Sequence, residues 1–243
     1  MQRIFCLNKE IKNNEKYRHE YKYEIDFRQY EMLKIMLPRI MEFDSHTRED
    51  GSYLIRSLYF DDFDNSCYYD NENGTDPREK YRIRLYNGST DVIKLELKRK
   101  EHGKTLKKSC SLTKGQVERI INGESVPWDD EMHPLLKKLY VLQNTKGMKP
   151  KVIVEYDRIP YVCENGNVRV TLDLNIRTTA EIMTFLDKKT NCRLIMPKGK
   201  NLLEVKFDEL LPDYIYQTMQ LNHLQQTTFS KYYLCRKFGG ITL

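Results

Sequence analysis

Six short stretches of this chain place polar, mostly ionic side chains at every second position between hydrophobic neighbours. They are Glu20/Lys22, Arg82/Arg84, Glu96/Lys98, Lys107/Ser109/Ser111, Arg169/Thr171/Asp173 and Glu204/Lys206. Successive side chains of a strand point to opposite faces, so residues two apart share one. Strands of this kind joined in one sheet merge their polar faces into one surface. That surface is either wetted by solvent or the lining of a polar tunnel, and the choice decides the function.

A chain of 243 residues fits one sizeable domain and buries a core without disulfide support. Residues 1–16, rich in Lys and Asn, read as a flexible N-terminal arm, and residues 17–243 as a single domain. With 40% hydrophobic residues, 17 Tyr and 9 Phe, the chain is too aromatic for a solvating tail. No run reaches the roughly 18 apolar residues of a membrane helix, and the N-terminus lacks the apolar stretch of a signal peptide. A cytoplasmic protein without an intrinsic membrane segment is the expectation.

Cys6, Cys67, Cys110, Cys163, Cys192 and Cys235 form no C-x-x-C pair and have no His at ligand spacing, so reduced thiols are expected. His19, His46, His102, His133 and His223 show no metal-binding spacing and read as surface or packing residues. A formal net charge of +6 favours an anionic partner without naming it. No G-x-x-x-x-G-K-[ST] segment exists, so ATP use would not proceed through a P-loop.

RHEYKYEI reads as a strand, and Asp26 stands as N-cap for a helix FRQYEMLKIML that Pro38 ends or kinks. SYLIRSLYFDD alternates again, with Leu54, Arg56, Leu58 and Phe60 on one face. DNENGTDP is a loop by composition. REKYRIRLY and DVIKLELKRK flank the hairpin residues Asn87-Gly88-Ser89. KTLKKSCSL follows, and Thr113 with Gln116 forms a capping box for a helix that Gly123 stops. EMHPLLKKLYVLQN is a second helix with Pro134 in its first turn. KVIVEYDRIPYV and NVRVTLDLNIR pair around Glu164–Asn167, NLLEVKFDEL is the last strand, and LPDYIYQTMQL and TTFSKYYLCRKF close the chain as helices.

Eight strands linked largely by hairpins argue against a doubly wound sheet. The expected fold is α+β: an eight-stranded antiparallel β-barrel with helices packed outside, wide enough to hold one small ligand. The alternate positions are apolar, among them Leu172, Leu174, Leu203, Val205, Phe207, Leu106, Cys110 and Leu112, and helices can cover them. By elimination the ionic faces turn inward. The plainer alternative, a solvated sheet face with cross-strand Lys–Glu pairs, weakens because the pattern recurs with basic residues in excess.

The inward set holds nine cations, Lys22, Arg82, Arg84, Lys98, Lys107, Arg158, Arg169, Lys206 and Lys231, against Glu20, Glu96, Asp173 and Glu204. A closed interior with that surplus is costly unless a polyanion neutralises it. Arg offers phosphate a two-pronged donor set and Lys a mobile point charge. The carboxylates make sense beside Mn²⁺ or Mg²⁺, which one or two carboxylates hold together with phosphate oxygens. Metal and basic cradle together are what phosphoryl transfer requires. No aromatic cluster with basic interleaving matches a nucleic-acid module, so no nucleic-acid partner is expected.

RHEYKY, YLIRSLYFDD, REKYRIRLY, KLELKRK, RVTLDLNI, LLEVKFDE and FSKYY, in this order over residues 17–238, resemble the VTC-type polyphosphate polymerase domain of the triphosphate tunnel metalloenzyme (CYTH-like) superfamily. The resemblance implies an eight-stranded tunnel whose basic walls bind ATP, triphosphate or polyphosphate, with a glutamate holding the catalytic Mn²⁺ or Mg²⁺. Carried over motif by motif, it implies catalytic and phosphate-binding roles for Lys22, Arg82, Arg84, Lys98, Arg158 and Arg169. It implies phosphate binding for Lys107, Ser230 and Lys231, and metal binding for Glu204. Lys206 as a phosphate ligand, Glu20 and Glu96 as metal ligands, and Asp173 rest on strand parity and chemistry; internal salt bridges explain these residues equally well.

Departures from the family pattern matter. Arg18 stands where thiamine-triphosphatase and cyclase relatives carry the first Glu of E-x-E-x-K. Lys100 and Thr228 stand where the yeast-type polymerase carries His and a further Lys. Chain elongation from the ATP γ-phosphate is the leading expectation. A triphosphatase and a non-catalytic polyphosphate-binding module are the alternatives.

Overall fold

A computed structural model describes residues 16–45, 47–220 and 223–239. The arm up to residue 15, with Cys6, and also His46 lie outside the described residues. Eight long strands build one antiparallel sheet: β1 (His19–Ile25), β3 (Tyr53–Asp61), β4 (Arg78–Tyr86), β5 (Ser89–Glu101), β6 (Lys104–Leu112), β7 (Lys149–Cys163), β8 (Val168–Thr179) and β10 (Asn201–Phe207). Two short strands, β2 (Glu42–Phe43) and β9 (Arg193–Leu194), add to β7 and β8.

The strand order is β1-β10-β8-β7-β3-β4-β5-β6. The sheet curls until its two edges meet, where Arg18 and Thr105 exchange backbone hydrogen bonds of 3.0 and 2.9 Å. Asn87 and Gly88, both at positive φ (56° and 66°), form the two-residue turn between β4 and β5. That turn needs left-handed backbone twice, which is why Asn-Gly suits it. His102-Gly103 repeats the geometry between β5 and β6 (φ 49° and 75°), without a sequence signal as strong.

Local chemistry sets the helices. In α1 (Phe27–Met36) Asp26 accepts the Gln29 N–H and the Gln29 side chain accepts the Asp26 N–H; Thr113 and Gln116 do the same for α3 (Lys114–Ile121). α4 (Pro134–Lys146) starts three residues later than its pattern suggested, because His133 Nδ1 accepts the Leu135 N–H at 3.1 Å and acts as the cap. α2 (Ser66–Glu72) takes in the start of the segment read as a loop. Its first turn is held by buried Asp61, which accepts the N–H groups of Cys67 (2.8 Å) and Tyr68 (3.1 Å). α5 (Asp213–Thr218) is short, and residues 227–230 are not helical before α6 (Lys231–Gly239), which Ser230 caps by accepting the Tyr233 N–H at 3.3 Å.

Two apolar clusters cover the convex face. Leu172, Leu203, Val205 and Phe207 pack with Leu33 of α1 and Ile215 of α5. Ile83, Leu95, Cys110 and Leu112 pack with Val117 and Ile120 of α3 and Leu135 and Leu139 of α4. The third cluster lies on the concave face: Ile55, Val152, Val154 and Ile176 are buried by Phe229, Tyr232 and Cys235. Helix α6, with Cys67 and Tyr68 of α2 in the same cluster, therefore fills one end of the curled sheet from inside, while α1, α3, α4 and α5 pack outside. No described helix is long and apolar enough to cross a membrane.

Candidate functional site

Above α6 the concave face encloses a cavity of about 410 Å³. Lys22, Arg82, Arg84, Lys98, Lys107, Arg158, Arg169, Lys206, Ser230, Lys231, Glu20, Glu96 and Glu204 all line it. Asp173 lies just behind the wall, fully buried. Strand register explains the convergence. Lys22 stands opposite Glu204 and Glu20 opposite Lys206, Lys206 opposite Arg169, Arg82 opposite Glu96, and Lys98 opposite Lys107. Antiparallel partners carry their side chains on the same face.

Each carboxylate is a hub for several cations. Glu96 receives Arg82 (2.7 Å), Lys107 (2.5 Å) and Arg84 (3.6 Å). Glu20 receives Lys98 (2.5 Å), Lys22 (3.0 Å) and Lys206 (3.9 Å). Glu204 is bracketed by Lys206 (2.6 Å), Lys231 (3.5 Å) and Arg158 (3.6 Å). Arg158 also makes a two-pronged contact with Asp173 at 2.6 and 2.7 Å, and Lys231 reaches the same carboxylate at 2.6 Å. Arg169 is held by Asp44 and the Tyr53 hydroxyl, both at 2.9 Å.

Burial by itself would favour protonated carboxyls here. The surrounding ammonium and guanidinium groups win: Lys98 and Lys22 hold Glu20 well below the usual carboxylate range, as Arg84, Arg82 and Lys107 do for Glu96. Lys206 and Lys231 hold Glu204 low, and Arg158 holds Asp173 low. Burial opposes charge on Lys231 too, yet Asp173 and Glu204 raise its pKa, so it stays an ammonium. These four carboxylates and Lys231 are thus ionised, whereas burial pushes the pKa of Lys98 down to about 7.

Pairing does not neutralise the interior. Twelve cationic side chains line the cavity, Lys16, Arg18 and Lys80 among them, against Glu20, Glu96, Glu204 and Asp208. Lys80 escaped the sequence reading, although it stands two positions before Arg82 on the same face of β4 and parity alone could have found it. Tyr59 and Tyr156, whose hydroxyls accept hydrogen bonds from Arg82 (2.8 Å) and Arg84 (3.4 Å), carried no sequence signal of that role. Arg56, opposite in parity, is buried on the convex side, where it pairs with Glu155 at 2.7 Å and donates to the Phe185 carbonyl at 3.1 Å. Among the described residues no three His, Cys, Asp or Glu side chains converge as a metal cage, and Cys67, Cys110, Cys163, Cys192 and Cys235 are free thiols.

A curled eight-stranded antiparallel sheet with an ionised, predominantly basic interior defines a tunnel-fold protein. Two of the solved structures that share that fold serve as examples. One is a candidate adenylate cyclase from Bacillus halodurans, 14% identical, with a TM-score of 0.52 over 93% of this chain and 98% of that one. The other is a candidate adenylyl cyclase from Hippeastrum with a dominant triphosphatase activity, 13% identical, with a TM-score of 0.51 over 92% and 98%. Within this class the chain belongs to the VTC domain family, whose family model matches residues 17–238. No curated protein matches the sequence.

Proposed function

We propose that this VTC-domain chain is a metal-dependent phosphotransferase that acts on triphosphate and polyphosphate, building polyphosphate from the γ-phosphate of ATP. The observation that carries this reading is the excess of cations over carboxylates around one enclosed cavity. A protein interior with that imbalance is stabilised by an anion carrying several charges in a row.

The residues divide the work by chemistry. Arg82 and Arg84 present planar donor forks to non-bridging phosphate oxygens, and Glu96 with the Tyr59 hydroxyl pre-orients Arg82. Lys22, Lys98 and Lys107 supply mobile point charges from β1, β5 and β6. Arg158, Lys206 and Lys231 surround Glu204, so charge developing on a transferred group there meets fixed cations. A phosphate-chain end is already an anionic nucleophile and needs no general base to attack.

The donor set suits a hard divalent cation at one place. Glu20 Oε2 is buried without a hydrogen-bond donor among the described residues, and Glu204 lies on the adjacent strand, one register step away. Those two carboxylates with phosphate oxygens are a donor set that Mn²⁺ or Mg²⁺ accepts. When bound, such an ion neutralises charge on the β- and γ-phosphates. Glu96 stands apart from this pair, on β5 opposite Arg82.

A Glu204→Gln variant tests the assignment. Metal-dependent turnover of ATP should be lost, while metal-free tripolyphosphate binding is retained or tightened, because the cavity gains one net positive charge. Equal, measurable turnover in the variant and the wild type would reject the role of Glu204, and no turnover in either would leave a binding module. Hydrolysis to orthophosphate is the second reading, favoured by Lys100 and Thr228 standing where the yeast-type polymerase carries His and Lys. Orthophosphate released in step with ADP, without longer chains, is its signature.

A further inference from the structure

A second chamber of about 420 Å³ adjoins the cavity, and Glu20, Lys22, Lys80, Lys98, Thr105 and Ser230 line both. Lys80 sits at this neck. Its Nζ donates to Asn71 Oδ1 at 2.7 Å and to Ser230 Oγ at 2.9 Å, and lies 5.5 Å from the centre of the Tyr232 ring. Among the described residues no carboxylate comes within ion-pair distance of it, whereas Lys22 and Lys98 divide Glu20 between them.

Every element packed against Lys80 leaves its charge uncompensated. β1 contributes Lys22, β5 contributes Lys98 and its own strand Arg78; α2 contributes Asn71 and the buried thiol of Cys67, and α6 with its cap contributes Tyr232 and Ser230. Burial first, then the neighbouring Lys22, Lys98 and Arg78, push its pKa down to about 7. A lysine that makes only neutral hydrogen bonds, with three cations around it, lacks the partner that its neighbours have.

We infer that Lys80 is a phosphate-binding residue at the neck between the chambers, and that a phosphoryl group there draws a proton from solvent onto its nitrogen. Binding of triphosphate or polyphosphate is then coupled to proton uptake near neutral pH. The step forms one N–H bond from the amine lone pair and a buffer proton, and nothing else changes. An opposite charge within hydrogen-bond reach favours the protonated amine, which makes the coupling obligatory wherever the free amine is partly neutral. This inference rests on the proposed triphosphate-binding role of the cavity.

Calorimetric titration of tripolyphosphate into the full chain, without metal and in two buffers of different ionisation enthalpy, reads affinity and proton uptake together. The ligand itself titrates, so the difference between variants carries the information. Lys80→Met should bind at least about tenfold more weakly and take up fewer protons, since one charge-assisted hydrogen bond is lost. Lys80→Arg, charged at every working pH, should bind within a few-fold of wild type and show the same reduced uptake. If Lys80→Met does not fold, judged by circular dichroism, the Lys80→Arg uptake decides alone. Unchanged affinity in Lys80→Met or unchanged uptake in Lys80→Arg overturns the inference while triphosphate binding stands. Absence of binding by the wild type overturns both.

Discussion

Glu96 shows what single residues do in this interior. One buried carboxylate balances Arg82, Arg84 and Lys107, so Glu96→Gln leaves three cations uncompensated. Losing one partner of a buried ionic cluster costs about 3–5 kcal/mol. Urea unfolding should show a loss of that order in the ligand-free protein, and tripolyphosphate should restore much of it. The pH dependence has two limbs. Glu20, Glu96, Glu204 and Asp173 have folded pKa values below their unfolded ones, so their stabilisation is present above the ordinary carboxylate range and is lost as pH falls through the folded values. Lys80 and Lys98 run the other way: their folded pKa values, about 7, lie below the unfolded value, so the unfolded chain binds more protons above pH 7 and ligand-free stability rises with pH. The rise ends near the ordinary thiol range of about 9, where burial of Cys67 and Cys235 reverses the sign. Thermal melting against pH checks both limbs, and Lys80→Met should make the second shallower, with Lys98 supplying the remainder.

At the scale of elements, α6 is the piece on which the site depends. Tyr232 hydrogen-bonds to buried Asp61, and Arg236 donates to Asn65 Oδ1 at 2.8 Å, so the N-terminal end of α2 anchors the helix that carries Lys231. Tyr232→Phe removes the hydroxyl that donates to Asp61 and accepts from Arg236, a loss of about 1–3 kcal/mol, and should weaken tripolyphosphate binding beyond the stability change by loosening Lys231. A variant that loses stability but binds normally would show that α6 does not position the site. The caps at Asp26 and Thr113 were legible because capping is decided within four residues. The inward placement of α6 was not, because it depends on which strands curl around it; nor was α2, whose start is fixed by Asp61 across a turn. Parity along each strand is equally local, so the cavity residues could be read from alternation. Parity likewise set Arg56 on the face of Leu54, Leu58 and Phe60, apart from the cations within, though not its burial against Glu155.

For the molecule as a whole, a curled sheet turns a one-dimensional alternation into an enclosed cationic volume, with its apolar residues under helices on the convex face and under α6 within. Because the excess charge is held without a polyanion, saturating tripolyphosphate should raise the melting temperature, by about 2.7 kcal/mol of linkage at a hundred times the dissociation constant. The gain should shrink with added salt as screening weakens the attraction. The most direct measurement of the central claim follows the γ-phosphate: ATP labelled there is incubated with the full chain and Mn²⁺, and the products are resolved by length. The account predicts label in chains longer than triphosphate, matched by ADP and absent with Glu204→Gln. Label that stays in ATP throughout would contradict it.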